Sequence, residues 1–175
     1  MTVPPDTLHL LGTFQLIRQG KEVTLGQPRL EELIALLAVH HGEPIPRVQI
    51  AYSLWPESGE SQARVNLRNL LHKLKRAWSG MGDAIAVTRS HVAWRDDIGI
   101  MIDVHRIESL MADASQQQDV DDRIATLTEA AELYSGDFLP NCFADWALAE
   151  RERLRGEYAS FLEQLVDALL DRRRY

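Results

Sequence analysis

Hydrophobic residues between Ala63 and Trp78 recur at steps of three and four. On a helix, Ala63, Leu67, Leu70, Leu74 and Trp78 share one side, with Leu71 at its margin. The same spacing marks a helix from Pro28 or Arg29 to about His41, through Leu30, Leu33, Ile34 and Leu37, ended by Gly42. Residues 43–46 read as a loop, and Pro46 can open a short helix that runs through Leu54 and Trp55 to stop at Pro56. A turn over 56–60 follows, with Ser58 or Ser61 as candidate N-cap of the next helix. Ahead of these helices, residues 8–11, 14–18 and 22–25 read as short strands, with Gln19-Gly20 as a turn. Beyond a break at residues 79–83, residues 85–88 and 92–95 read as two strands around Arg89-Ser90-His91.

From residue 103 onward the pattern is helical. Residues 104 to about 114 form one helix, and the polar run 115–122 forms a loop. A second helix carries Ile124, Leu127, Ala131 and Tyr134 and closes at Ser135-Gly136. From about Asp145 a long helix places Leu154, Tyr158, Phe161, Leu165 and Leu169 on one side. Gly156 inside it costs about 1 kcal/mol relative to Ala. The order is therefore three strands, three helices and a hairpin, then helices alone. The first part has the layout of a winged helix-turn-helix, and the expected fold is an α+β winged helix-turn-helix domain over 1–97 followed by an all-α helical domain over 98–175. Between them Ile98, Ile100, Met101 and Ile102 are apolar, which predicts a packed join and a fixed two-domain unit, not a flexible linker.

Charge changes this picture. The chain of 175 residues has a net charge of -7, yet the third helix carries Arg64, Arg68, Lys73, Lys75 and Arg76 and no acidic residue between Ser61 and Arg76. Arg64, Arg68, His72 and Lys75 line the side adjoining the apolar stripe; Asn66, Asn69, Lys73 and Arg76 complete the polar arc. Cations suit phosphates, and Asn and Arg can each form paired hydrogen bonds with a base. On charge alone, an ordinary solvated basic face is the better explanation. The helices before it and the hairpin after it, whose tip carries Arg89 and His91, favour double-stranded DNA as the partner. Arg64, Val65, Asn66, Arg68, Asn69 and His72 are expected to face the groove. Val65 is placed against a thymine methyl and Arg68 against a guanine; Lys73, Lys75 and Arg76 are placed on phosphates. Residues 1–100 sum to +1 and residues 101–175 to -8. The acidic half is thus expected to repel DNA at low salt and to hold down non-specific binding.

Composition excludes several classes. Hydrophobic residues make up 45% and charged residues 26%, an ordinary soluble globular balance. Apolar runs are too short to span a bilayer, and the N-terminus lacks the pattern of a signal peptide, so a cytoplasmic location with no membrane partner is expected. The single cysteine, Cys142, rules out an internal disulfide. No glycine-rich phosphate loop and no helical His pair at metal-ligand spacing occur, so neither catalysis, nor a cofactor, nor a metal is expected.

Several segments together resemble the SARP-type bacterial transcriptional activators, which join an OmpR-type winged helix to a bacterial transcriptional activator domain. Their carriers are LHLLGTFQLIRQGKEVTLG, LIALLAVHHGEPIPRVQIAYSLWP and ARVNLRNLLHKLKRA, then DVHRIESL, LYSGDFLP and DWALAERERLRGEYASFLEQL. The resemblance runs from about Leu8 to Leu170. It implies a TPR-like fold for the second domain, binding at promoter repeats, a homodimer on DNA, and contact with RNA polymerase. The chain departs from the family at Ser90-His91-Val92, where a Gly-Tyr or similar pair stands near the turn, and at its end, Asp171 to Tyr175, where the helical domain is expected to be truncated. The alternative is an interaction scaffold whose winged helix meets protein instead of DNA. Such a surface would display large apolar residues where this arc displays Arg, Lys, Asn and His.

Overall fold

The computed structural model describes residues 5–77 and 84–172. The expectations for Trp78, for the break at 79–83 and for the last three residues lie outside the described residues. The chain forms two compact units. The first comprises residues 15–100 with residues 5–6 and 144–146; the second comprises residues 7–14, 101–143 and 147–172. Chain order alone assigns residues 7–14 to the first domain, whereas their contacts group them with the second.

In the first unit, β2 (Gln15–Arg18) and β3 (Lys21–Glu22) form a hairpin with Arg18 opposite Lys21. Gln19 and Gly20 both take positive φ, 49° and 76°, as a two-residue hairpin turn of this hand requires. Asp6 secures the turn through Arg18 Nε at 3.2 Å and the Gln19 N–H at 2.9 Å. Helix α1 (Pro28–Val39) starts on proline, which needs no donor there, and buries Leu30, Leu33, Ile34 and Leu37. Residues 45–46, expected in a loop, form strand β4 (Ile45–Pro46). It pairs with the central strand of a three-stranded sheet ordered β4, β6 (His91–Trp94), β5 (Ile85–Val87). Ile45 faces Val92, and both are buried. Pro46 fits because β4 is an edge strand.

Helix α2 (Arg47–Leu54) buries Ile50, Ala51 and Leu54. Pro46 precedes it at the cap and is not its first helical residue. Trp55 and Pro56 end it, and the Ser58 N–H bonds to the Trp55 carbonyl at 3.1 Å. Helix α3 (Glu60–Ala77) begins at Glu60, which puts Ser61 inside it. Its buried side is Ala63, Leu67, Leu70, Leu71 and Leu74.

In the second unit, β1 (Thr7–His9) runs parallel to β7 (Met101–Ile102), with Leu8 opposite Ile102. The expected strand at 8–11 thus begins one residue earlier and ends at His9. The apolar join of residues 96–103 contains a short 3-10 turn, Asp96–Ile98, and Gly99 in the left-handed region, and then becomes β7. Helix α4 (Asp103–Gln116) and helix α5 (Val120–Leu133) leave a loop of only residues 117–119. Asp119 shortens the expected loop by capping α5, accepting from the N–H groups of Asp121 at 2.9 Å and Asp122 at 3.0 Å.

Helix α6 (Asp145–Arg172) buries Ala147, Leu154, Phe161 and Ala168, a repeat of seven. The expected Leu169 is exposed, because a seven-residue seam selects Ala168 instead. Tyr134 stacks on Tyr158 with ring centroids 3.8 Å apart, and Tyr158 meets Phe161 edge-on.

Two buried polar groups organise the second unit. The Asp103 carboxylate accepts from the N–H groups of Leu10, Leu11 and Val104 at 2.8–3.0 Å. Burial pushes its carboxyl above the ordinary value, against the opposing pull of those N–H groups and of His9. Arg151 donates to the carbonyls of Phe138, Leu139 and Cys142. No helix among the described residues is long and apolar enough to cross a membrane.

Candidate nucleic-acid interface

The buried stripe of α3 fixes where its other side chains point. At about 100° per residue, the direction opposite that stripe is occupied by Val65, His72, Asn69 and Arg76, all exposed. Arg64, Arg68 and Lys75 flank them on one side and are exposed. Asn66 and Lys73 flank them on the other. Asn66 is half-buried and accepts from Gln62 at 2.8 Å, while Lys73 Nζ donates to Gln27 Oε1 at 3.2 Å, beside the start of α1.

Arg64, Val65 and Arg68 line a cleft of about 450 Å³, together with Arg47 and Val48 of α2, Leu67, and the hairpin residues Arg89 and Ser90. Among the described residues, four arginines and no acidic residue line it. Glu60 reaches Arg64 from one helical turn earlier, but both partners are well exposed. Such a pair contributes little and yields readily to a phosphate. Of the residues expected to face DNA, the structure gathers Arg64, Val65, Arg68 and Arg89 into this cleft. Asn66, Asn69, His72, Lys73, Lys75 and Arg76 lie on α3 outside it. His91 also stays outside: it is a β6 residue, half-buried, with its ring Nδ1 2.9 Å from Ser90 Oγ and its N–H bonded to Thr88 Oγ1.

The hairpin tip is held by backbone. Thr88 N–H donates to the His91 carbonyl at 2.9 Å, and the Arg47 N–H donates to the Ser90 carbonyl at 2.8 Å. The Arg47 guanidinium also reaches the Thr88 carbonyl, at 3.4 Å. Thus β4, by pairing with β6, delivers the start of α2 to the tip. Arg47, Val48 and Ser90 are cleft residues that sequence reasoning missed. One signal was available: Arg47 is the first residue of α2, where a cation opposes the helix dipole and gains nothing for the helix itself.

Residues 102–175 match the family described as bacterial transcriptional activator domain. A solved structure of EmbR from Mycobacterium tuberculosis, in complex with a low-affinity phosphopeptide, is similar over 94% of this chain, with a TM-score of 0.65 and 19% identity. That match spans 43% of the EmbR chain. The likeness is one of fold. None of the curated proteins matches the chain.

Proposed function

We propose that this chain, whose second unit matches a bacterial transcriptional activator domain, is a transcriptional regulator that binds duplex DNA through a winged helix-turn-helix in its first unit. In this reading α2 and α3 are the two helices of the motif, and the hairpin of β5 and β6 is the wing. The observation that carries it is the cleft in which Arg47, Arg64, Arg68 and Arg89 converge from three separate elements. Helix α3 meets the major groove with Val65, Asn69 and His72 outermost, and Lys75 and Arg76 meet phosphates further along. Arg89 reaches the backbone beside the wing. The family resemblance adds activation at promoter repeats, a homodimer on DNA and contact of the second unit with RNA polymerase in the cytoplasm.

A protein-contact role for α3 is less well supported, because Val65 is the one large apolar residue exposed on it among the described residues. Fluorescence anisotropy of a labelled random duplex with the full chain tests the reading. Binding at low salt is expected, with an affinity slope of about -0.9 per phosphate neutralised. Absence of binding at low salt overturns it.

A further inference from the structure

The arginine-lined cleft has a feature that phosphate binding leaves unexplained. A phosphate site calls for donors, yet two valines also face solvent there. Val48, from α2, is 49% exposed, and Val65, from α3, is 39% exposed; both line the cleft. Neither contributes to the core, since α2 buries Ile50, Ala51 and Leu54 and α3 buries its leucines and Ala63. Two β-branched residues on exposed helical faces carry no benefit in helix propensity. Their joint position implies a ligand that brings an apolar group alongside its anionic ones.

In the major groove of DNA, the base-edge group of that kind is the C5-methyl of thymine. Val65 projects nearly opposite the buried stripe of α3, the direction that reaches the groove floor. Val48 approaches the same space from the start of α2, held there by the Arg47–Ser90 bond. We propose that Val48 and Val65 together form a notch for one thymine methyl, which sets a preference for an A·T pair at one position of the site. This rests on the DNA-binding reading above and adds Val48, which lies outside the recognition helix, as a specificity-determining residue. Arg64 and Arg68, which flank Val65 on one side of α3, hold the adjoining phosphates or bases in register. The deoxyribose is the other apolar group of DNA, and the test separates it from the methyl.

The full chain is selected against a fully random duplex pool prepared once with thymine and once with uracil in its place. The two bases pair identically and differ by the methyl alone. An enriched thymine step is expected in the first pool and its absence in the second. The enriched duplex is expected to bind about fourfold more tightly than its uracil counterpart, the effect of burying one methyl. Val48→Ala and Val65→Ala should each lower that ratio towards one, and the ratio cancels any loss common to both duplexes. Val65→Thr, which keeps the side-chain shape but replaces one methyl by a hydroxyl, should lower the ratio by less, and guards against a loss caused by altered packing. Equal affinity of the wild type for the thymine and uracil duplexes overturns the notch and leaves DNA binding standing, as a deoxyribose contact would. Binding of duplex with no enriched step in either pool overturns both the notch and base reading by α3. Binding of no duplex at all removes the DNA-binding proposal itself.

Discussion

The backbone N–H of Arg47 donates to the carbonyl of Ser90 at 2.8 Å. These residues are far apart in sequence, one opening α2 and the other at the hairpin tip. Their bond makes the cleft a property of the backbone. Side chains there can be exchanged one by one without moving the hairpin, which is what makes mutational tests of the site interpretable.

Within the cleft, Arg68→Ala should cost about 1–3 kcal/mol and relax preference at one position of the selected site. Lys75→Ala, further along α3, should weaken all sequences alike and reduce the salt slope by about one. Anisotropy titrations at several salt concentrations read both quantities. Equal losses on specific and random duplex for Arg68→Ala would place that side chain on a phosphate.

Arg151 satisfies three carbonyls of one turn, from Phe138, Leu139 and Cys142, and Leu139 there has a φ of 39°. Replacement by methionine keeps the stem and removes one donor from each of those carbonyls, of which that of Leu139 keeps the Cys142 N–H, at an expected total cost of about 1–3 kcal/mol. Urea unfolding should show a clear fall in midpoint for Arg151→Met. Arg151→Lys should recover only part of it, because a single ammonium cannot reproduce the planar fork.

Asp103 gives a prediction for pH. Burial raises its folded-state pKa above the unfolded value, so in the window between the two the native chain binds more protons. Stability therefore falls as pH rises through that window and levels off once the group is ionised in both states. Asp103→Asn should remove this dependence. It should also lower stability at every pH, because an amide offers one acceptor oxygen where the carboxylate uses two. An unfolding series across the carboxylate range, in which the two proteins kept parallel slopes, would assign the dependence to other groups.

Asp113, Glu163 and Asp167 are exposed in the acidic part of the chain. Neutralising all three as Asn and Gln should raise the affinity for random duplex at low salt. The gain should vanish as salt shortens the Debye length from about 10 Å at 0.1 M. A gain that persists at high salt would indicate a direct contact instead of long-range repulsion.

The elements most legible in the sequence are those whose stability is local. Helix α3 declares itself through five buried positions at helical steps, and α1 through its own run of leucines. The β5–β6 hairpin, too, is short-range. What stayed hidden depends on distant partners. Strands β4 and β7 have two residues each; Ile45 gains its meaning from Val92, and Ile102 from Leu8. The loop at 117–119 was masked by polarity, since Asp119 looks like any other residue of a solvated run until its carboxylate meets two N–H groups. In the site, charge pointed to Arg64, Arg68 and Arg89, but Arg47 and Val48 join them only through the β4–β6 pairing.

The second unit is assembled from separated pieces of chain, with residues 7–14 set apart from residue 101 onward by the intervening first unit. During synthesis, residues 7–14 emerge from the ribosome before the first unit, but their partners Ile102, Asp103 and Phe138 emerge only after residues 15–100. The first unit, almost all of it one uninterrupted stretch, can complete its sheet and helices in the interval. Throughout that time the Leu10 and Leu11 N–H groups and the Leu8 side chain wait unpaired. A ribosome pause near residue 100 would lengthen that exposure, and the nascent chain would then hold a finished three-helix unit behind a bare apolar segment open to capture by a chaperone.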